Sequence, residues 1–143
     1  MAQIERSALV AYSAQQMFDL INDVEAYPQY MDGCVGATVL HSSPEALEAR
    51  LQLSKAGITQ SFVTRNQLEP PHTMTMQLVE GPFSRFEGVW SFKALAEDAC
   101  KVQLQMDFEF ANKVLGLAAS KWFESMASSQ VDALCVRAKV IYG

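Results

Sequence analysis

The 143-residue sequence predicts an α+β domain in which a curved antiparallel sheet of six or seven strands wraps around a long C-terminal helix. Three observations support this prediction. Apolar residues recur at helical spacing near both ends of the chain, they alternate with a period of two from residue 34 to residue 110, and prolines fall between these segments at intervals that suit turns. Because a length near 150 residues is typical of one domain, residues 1–143 are expected to form a single domain.

The N-terminal part of the chain predicts one strand followed by two short helical segments. Residues 3–11 favour a first strand of mixed pattern. Ser13 and Gln16 match a capping box, in which side chains and backbone N–H groups satisfy one another at a helix start. Residues 23–31 predict a short helix or turn, because Pro28 disfavours regular helix geometry just before it. One face of the first helix is expected to be buried: Met17, Leu20, Ile21 and Val24.

The middle of the chain predicts a meander of strands joined by short turns. Residues 47–53 alternate between apolar and polar side chains, which is typical of a strand with one wet face, and residues 58–68 are predicted to form the next strand. Turns are predicted where Gly or Pro interrupts the alternation: residues 55–57, 69–72 and 80–82. The clearest strand covers residues 101–110, in which polar side chains alternate with a ladder of apolar ones: Val102, Leu104, Met106, Phe108 and Phe110.

The C-terminal part of the chain predicts one continuous helix. It begins after Asn112, a favourable N-cap residue, and runs to about residue 141. A helix of about 28 residues would be roughly 42 Å long. Because a strongly curved sheet does not close perfectly on a helix laid along it, the space between them is expected to hold a ligand. The apolar stripe facing the sheet is predicted to consist of Val114, Leu117, Ala118, Trp122, Met126, Leu134 and Ala138.

Charge and composition limit the partners. The chain carries 11 Lys and Arg against 16 Asp and Glu, for a formal net charge of −5, so binding to DNA is not expected. No apolar run approaches the ~18 residues of a membrane span and no signal peptide opens the sequence, so the protein is expected in the cytoplasm. Four cations of the C-terminal quarter form either a solvated face or a surface for a polyanion: Lys113, Lys121, Arg137 and Lys139.

The sequence lacks the common catalytic and metal-binding motifs. No nucleophile elbow, phosphate loop, dinucleotide fingerprint or His-Glu-x-x-His motif occurs. His41 and His72 are expected at exposed positions, and the three cysteines are far apart and predict reduced thiols rather than a zinc site or disulfide framework. No catalytic residue and no metal ligand are therefore assigned, and the chain is expected to be non-enzymatic and to require no cofactor.

One strand face predicts a pocket with a few polar contacts. Gln60, Thr64 and Asn66 share a face with Phe62 and Leu68, and burying three polar groups without partners is costly. That face is therefore either exposed to solvent or lines a mostly apolar pocket. The predicted pocket wall consists of large apolar side chains, for which an ordinary core is the alternative: Phe62, Met76, Leu78, Trp90, Phe92, Met106, Phe108, Trp122 and Met126.

Several blocks of the sequence resemble one family. The run LINDVEAYPQYM at residues 20–31, followed by Gly33 and Cys34, resembles the signature of the coenzyme-Q-binding branch of START-like domains, also called SRPBCC or polyketide cyclase-like domains. GPF and GVWSF in the middle of the chain, DFEF at residues 107–110, and RAK and YG at the end also agree with it. SKAGI at residues 54–58 and TRNQL at residues 64–68 are similar to its bacterial branch of ribosome-association toxins.

The resemblance implies the helix-grip fold and two functions of different classes. One is binding of ubiquinone or a similar prenyl quinone in the cavity, as a carrier or chaperone in respiratory electron transport, with transient contact to the surface of the inner membrane. The other is a toxin-like factor that binds the large ribosomal subunit and blocks subunit association. A third interpretation is a cyclase or hydrolase on the same fold. Asp32 stands where the family usually has Pro, which makes this loop more polar.

Overall fold

The computed structural model describes residues 2–55 and 57–143. Its helices and strands are, in chain order, β1 (Ala2–Val10), α1 (Ala14–Asn22), a 3-10 helix (Val24–Gln29), β2 (Cys34–Ser42), β3 (Ala46–Lys55), β4 (Ile58–Glu69), β5 (Thr73–Glu80), β6 (Phe83–Ala96), β7 (Ala99–Phe110), α2 (Lys113–Ser128) and α3 (Gln130–Tyr142). The strands form one antiparallel sheet in the order β1-β7-β6-β5-β4-β3-β2. The predicted fold class is therefore confirmed: a curved seven-stranded sheet holds the C-terminal helical segment. Ala56 of the turn predicted at residues 55–57 lies outside the described residues.

The start of α1 has the predicted capping box. Ser13 Oγ accepts a hydrogen bond from Gln16 N at 3.0 Å, and Gln16 Oε1 accepts one from Ser13 N at 2.9 Å. The helix buries the side chains of Met17 and Ile21 completely. The 3-10 helix follows directly, as the prediction of a short helix or turn required, and covers one edge of the sheet. There, Val39 N of the edge strand β2 donates to Glu25 Oε2 at 3.3 Å, which satisfies one donor of an otherwise open strand edge.

The strand alternation sorts the sheet into a wet convex face and an apolar concave face. All five apolar residues of the ladder predicted in β7 are buried, and most of the polar residues between them are exposed. The two C-terminal helices and α1 pack against the concave face. No helix within residues 2–55 and 57–143 is long and apolar enough to cross a membrane.

The C-terminal helix is interrupted at Ser129, which corrects the prediction of one continuous helix. Asn112 acts as the predicted N-cap, because its Oδ1 accepts a hydrogen bond from Val114 N at 2.9 Å. At Ser129 the side-chain hydroxyl donates to the backbone carbonyl of Met126 at 2.7 Å. A serine hydroxyl that competes for the carbonyls of the preceding turn bends a helix. The result is two segments, α2 and α3, which meet beside the concave face.

The predicted apolar stripe is wrong in the first turns of α2. Val114 and Leu117 are 77% and 88% exposed, whereas Ala119 is fully buried. Val114 precedes Ala119 by five residues, roughly 140° around the helix, so these two residues lie on different sides. Trp122 is only half-buried and the side chain of Ala118 lies outside the described part of the chain. The rest of the stripe is buried as predicted: Met126, Leu134 and Ala138.

Candidate functional site

A narrow cavity lies between the concave face of the sheet, the 3-10 helix and the junction of α2 with α3. The space that the centre of a water molecule can occupy is about 40 Å³. Most of the surrounding side chains are apolar, and the polar ones come from β4, the 3-10 helix and the start of α3. The lining consists of Val24, Tyr27, Ala49, Leu51, Leu53, Phe62, Thr64, Asn66, Met76, Phe86, Trp90, Met106, Phe123, Met126 and Gln130.

The floor of the cavity is a row of directly paired residues across four strands. Asn66 of β4 pairs with Met76 of β5, Met76 with Gly88 of β6, and Gly88 with Met106 of β7. A Cβ atom added at Gly88 would lie 2.5 Å from Met76 Cε. The glycine therefore leaves room for the flexible end of Met76 to lie across β6. Met126 of α2 faces this row, so three methionines surround the space, and their unbranched side chains can adapt to ligands of irregular shape.

A buried polar pair marks one part of the lining. Thr64 and Asn66 are each 3% exposed, and Thr64 Oγ1 donates to Asn66 Oδ1 at 3.0 Å. Asn66 Nδ2 lies 3.7 Å from the sulfur of Met74, which is a weak acceptor. Of the face that the sequence left as either exposed or pocket-lining, Phe62, Thr64 and Asn66 line the cavity. The amide of Asn66 retains the capacity to donate to a stronger acceptor, such as a carbonyl oxygen of a ligand.

Tyrosines of the 3-10 helix and the following loop close the side of the cavity. Tyr27 lines the cavity, and its hydroxyl donates to the carbonyl oxygen of Ile21. Burial raises the pKa of Tyr27 well above its ordinary value, so its hydroxyl stays protonated and is no base at neutral pH. Its ring packs edge-on against Tyr30, with ring centroids 6.1 Å apart. Burial also raises the pKa of Tyr30, while the nearby guanidinium of Arg137 opposes the rise.

Arg137 ties α3 to this wall. Its guanidinium lies over the ring of Tyr30, 5.2 Å from the centroid, and its Nη2 donates to Gln29 Oε1 at 3.0 Å. The sequence assigned Arg137 to a candidate basic surface together with Lys113, Lys121 and Lys139. The structure places the three lysines at exposed positions and the half-buried arginine in intramolecular contacts. Arg137 is thus engaged in contacts within the chain, whereas the three lysines are exposed.

The structure brings seven of the predicted pocket residues together and places five elsewhere. Phe62, Met76, Trp90, Met106, Met126, Thr64 and Asn66 line the cavity. Phe92 lies deeper in the core, stacked on Trp90 and edge-on to Phe18. Trp122 precedes Phe123 by one residue, about 100° around α2, and it is Phe123 that faces the cavity. The remaining residues that lie outside the lining are Leu78, Phe108 and Gln60.

Phe108 belongs to a neighbouring group of six phenylalanine rings, which we call the phenylalanine cluster: Phe62, Phe83, Phe86, Phe108, Phe110 and Phe123. Phe108 and Phe123 are its tightest pair, with ring centroids 4.6 Å apart. Phe62, Phe86 and Phe123 border the cavity, and the other three rings lie behind them. The cluster therefore fills the concave face on one side of the cavity.

Sequence reasoning missed eight residues of the lining: Val24, Tyr27, Ala49, Leu51, Leu53, Phe86, Phe123 and Gln130. The three from β3 were recognisable as one apolar strand face, and they pair directly with the β4 face that was assigned to the pocket. Phe123 was recognisable from its three-residue spacing to Met126. Tyr27 and Gln130 gave no such signal, because a 3-10 helix and a helix start carry too few residues to show a period.

The lining offers no acid or base pair. Among its described residues there is no His, Cys, Asp, Glu, Lys or Arg. His41 and His72 are both exposed, at a distance from this face of the sheet. Within residues 2–55 and 57–143, no three His, Cys, Asp or Glu side chains converge in a group that could hold a metal ion. The arrangement can enclose an apolar group and present a few hydrogen-bond donors and acceptors to it.

The sequence matches the family model described as polyketide cyclase/dehydrase and lipid transport over residues 10–135. The chain belongs to this family. Ribosome association toxin RatA of Escherichia coli K12 is 46% identical over 142 residues, which cover 99% of this chain and 90% of RatA. Coenzyme Q-binding protein COQ10 homolog B of Xenopus laevis is 25% identical over 145 residues, which cover 99% of this chain and 59% of that protein.

A solved structure of the same fold is the ZhuI aromatase/cyclase from Streptomyces sp. R1128. It superposes with a TM-score of 0.81 at 16% identity, covering 96% of this chain and 93% of that one. At this identity the similarity concerns the fold alone.

The run that carries the family resemblance builds one wall of the cavity. Val24 and Tyr27 line the space directly. Gly33 has φ +83°, and a Cβ added there would lie 2.7 Å from the sulfur of Met126, so the loop packs closely on α2 only because this residue is a glycine. Asp32, which departs from the family pattern, is exposed beside this contact and does not enter the cavity. The conformation of the loop thus depends on Gly33 rather than on its neighbour.

Proposed function

We propose that this protein is a toxin-like factor that binds the large ribosomal subunit and blocks subunit association, and that it therefore acts in the cytoplasm. The observation that carries the proposal is the 46% identity to ribosome association toxin RatA over 99% of the chain. At this level of identity and coverage, surface as well as core positions are shared.

The surface of α2 is the part of this chain best suited to ribosomal RNA. Lys113 and Lys121 are both exposed on its outer side, two turns apart. Within the described residues, neither ammonium group has a carboxylate within 4.0 Å. Each lysine that neutralises a phosphate releases a counterion, which makes binding dependent on salt. The chain has a net charge of −5, so specific contacts of this kind must overcome a general repulsion.

The test is sedimentation of the protein with purified large subunits over a series of salt concentrations. We expect the wild type to cosediment at low salt and the double variant K113E/K121E to lose affinity, with a salt slope reduced by about one unit for each lysine. The matched control is K93E/K101E. Lys93 and Lys101 are exposed cross-strand partners on β6 and β7, so this variant has the same change of net charge on another surface.

Two outcomes would contradict the proposal. If the wild type fails to cosediment with large subunits at low salt, the ribosomal function is wrong. If K113E/K121E and K93E/K101E weaken binding equally, net charge rather than the α2 surface determines association. Light scattering of mixed small and large subunits adds the functional measurement, in which the wild type is expected to reduce the formation of joined ribosomes.

We also propose that the cavity binds ubiquinone or a similar prenyl quinone. The specific observation in favour is the buried Asn66 amide, which faces a mostly apolar space surrounded by three methionines. A quinone carbonyl is an acceptor for this amide, and a prenyl chain is apolar. Because the space is narrow, binding requires Met76, Met106 or Met126 to change rotamer. The 25% identity to a coenzyme Q-binding protein agrees with this ligand class.

Trp90 provides the measurement, because it lines the cavity. A short-chain ubiquinone added to the purified protein is expected to quench tryptophan fluorescence, and N66L is expected to weaken binding about tenfold, the value of one hydrogen bond. The control is Q67L, at the adjacent exposed position on the other face of β4. Absence of quinone in organic extracts of the purified protein, together with unchanged fluorescence, would contradict the proposal.

Both proposed functions are binding functions, and we propose that the chain is not an enzyme and needs no cofactor for them. The polar groups of the lining are a tyrosine held protonated by burial, a threonine, an asparagine and a glutamine. None of these titrates near neutral pH. A cyclase or hydrolase that used general acid-base catalysis in this cavity would need a group that does.

A further inference from the structure

The outer face of α3 carries an apolar stripe. Val136 and Val140 are 66% and 69% exposed, on the side of the helix opposite to the buried residues Leu134 and Ala138. Half-buried Ala133 extends the stripe toward the start of α3. The positions 133, 136 and 140 follow the spacing of an interface-forming helix face.

One charged residue of each sign lies beside this stripe. Asp132 and Lys139 are both exposed and are seven residues apart, so they lie on the same flank of the helix, roughly 10 Å from each other along its axis. Among the described residues, neither has an oppositely charged group within 4.0 Å. The other flank carries Arg137, whose guanidinium is held by Gln29 and Tyr30. The stripe is therefore bordered on one side by two charges without partners.

We propose that this face binds a second copy of the chain, with the two α3 helices antiparallel and a two-fold axis beside Val136. In that register the Val136 side chains meet at the axis, and Ala133 packs against the second copy's Val140. Asp132 then lies within one residue of the second copy's Lys139. Because a two-fold axis repeats every contact, two apolar contacts and two ion pairs flank the axis symmetrically.

The charge pattern favours a second copy over other occupants. Toward an anionic membrane or a nucleic acid the repulsion of Asp132 cancels the attraction of Lys139, whereas the antiparallel pairing brings each of the two charges to its opposite. The stripe is small compared with the roughly 800 Å² that each partner contributes to a standard interface. The dimer is therefore weak and forms in a concentration-dependent manner. It covers Lys139 and leaves Lys113 and Lys121 of α2 exposed, so the ribosomal proposal and this one can fail independently.

Sedimentation equilibrium from micromolar to near-millimolar protein tests the proposal. The wild type is expected to show a monomer-dimer equilibrium that V136K abolishes. D132K and K139D, which place like charges opposite each other, are each expected to weaken dimerisation by tenfold or more. The double variant D132K/K139D restores both pairs in reverse and is expected to recover wild-type dimerisation. V114K, the same substitution at an exposed valine of α2, is the matched control and should dimerise normally.

Circular dichroism and thermal unfolding show whether each variant is folded. Because all the substituted positions are exposed, the variants are expected to fold as the wild type does. A wild type that stays monomeric throughout would overturn the proposal. So would a dimer that V136K leaves intact, or one that the double charge reversal fails to rescue. If the monomer instead floats with vesicles of phosphatidylcholine and phosphatidylglycerol, and V136K prevents this, the stripe faces a lipid surface and the proposal is wrong.

Discussion

The concave face of the sheet is filled in two different ways within a few residues. In the phenylalanine cluster, rings from β4, β6, β7 and α2 pack in edge-to-face and tilted pairs, with centroid distances from 4.6 Å for Phe108 and Phe123 to 6.4 Å for Phe86 and Phe123. In the cavity, methionine side chains and the bare backbone of Gly88 leave space between the same strands. The two regions share strands, register and alternation, so residue type contributes directly to the difference between them.

One sheet thus provides both stability and adaptability. Phenylalanine has two side-chain torsions and buries a large rigid area, so a cluster of such rings has few alternative packings. Methionine has three torsions in an unbranched chain and fills irregular gaps at low cost. Residues of the phenylalanine cluster are therefore expected to contribute more to the free energy of unfolding than residues of the cavity. The cavity is expected to determine which apolar ligand the protein can accommodate.

The largest expected effect comes from removing a ring of the cluster that does not touch the cavity. Phe83 contacts all five other rings of the cluster and is buried, so F83A is expected to lower the free energy of unfolding by about 3–5 kcal/mol. Met106 is equally buried but borders free space, so M106A is expected to cost about 2 kcal/mol, the lower end of its range. Urea unfolding measures both. A loss in M106A equal to that in F83A would remove the distinction between the two regions.

Gly81 and Gly88 test the distinction between the cluster and the cavity by the addition of a methyl group instead of the removal of a side chain. A Cβ at Gly81 would lie 2.6 Å from Phe62 Cβ, and the φ of +156° at Gly81 also disfavours a residue with a side chain, so G81A is expected to cost about 1–3 kcal/mol. A Cβ at Gly88 meets the mobile end of Met76, so G88A is expected to cost less than about 1 kcal/mol. In G88A the displaced Met76 is expected to occupy the cavity, so quinone binding should fall although the free energy of unfolding falls by less than about 1 kcal/mol. If the order of the two losses is reversed, the cavity is no more adaptable than the cluster.

Much of the fold could be predicted because its signals are local. The alternation in β7 and the Ser13–Gln16 capping box each involve residues that contact one another within one element, and both are present in the structure. The interruption at Ser129 could not be predicted from the apolar period, because one hydroxyl that bonds to Met126 redirects the helix without changing its hydrophobic pattern. A bend of this kind is decided by a single hydrogen bond.

The limits of the cavity could not be predicted because they are not local. Met76 and Leu78 lie on the same face of β5, yet only Met76 lines the cavity. The strand pattern gives both residues the same direction, and the position of the helices above them decides which one faces free space. The choice of Trp122 instead of Phe123 has the same origin: the direction of a helix face is known only after its phase relative to the sheet is known.

Substitutions of Thr64 and Asn66, the polar pair of the cavity, are expected to change the free energy of unfolding less, and the second substitution is expected to restore part of what the first one costs. N66L removes the acceptor of the Thr64 hydroxyl and leaves that buried group unpaired, at an expected cost of about 1–3 kcal/mol. The double variant T64V/N66L removes both groups and is expected to be more stable than N66L alone. Urea unfolding of T64V, N66L and T64V/N66L, compared with the wild type, completes a double-mutant cycle. A double variant less stable than N66L would show that the pair contributes to stability like the phenylalanine cluster, rather than being kept for a ligand.

The smallest expected effect concerns Arg137, which holds the tyrosines that close one side of the cavity. R137M removes the hydrogen bond to Gln29 and the cation over the Tyr30 ring, at an expected cost of about 0.5–1 kcal/mol. Because Tyr30 packs on cavity-lining Tyr27, the loss should appear as local opening: faster hydrogen exchange at amides of residues 24–30, with unchanged exchange in β6. K121M, at an exposed cation of α2, is the matched control. Equal acceleration in β6 would mean that the cavity side and the phenylalanine cluster open together as one cooperative unit.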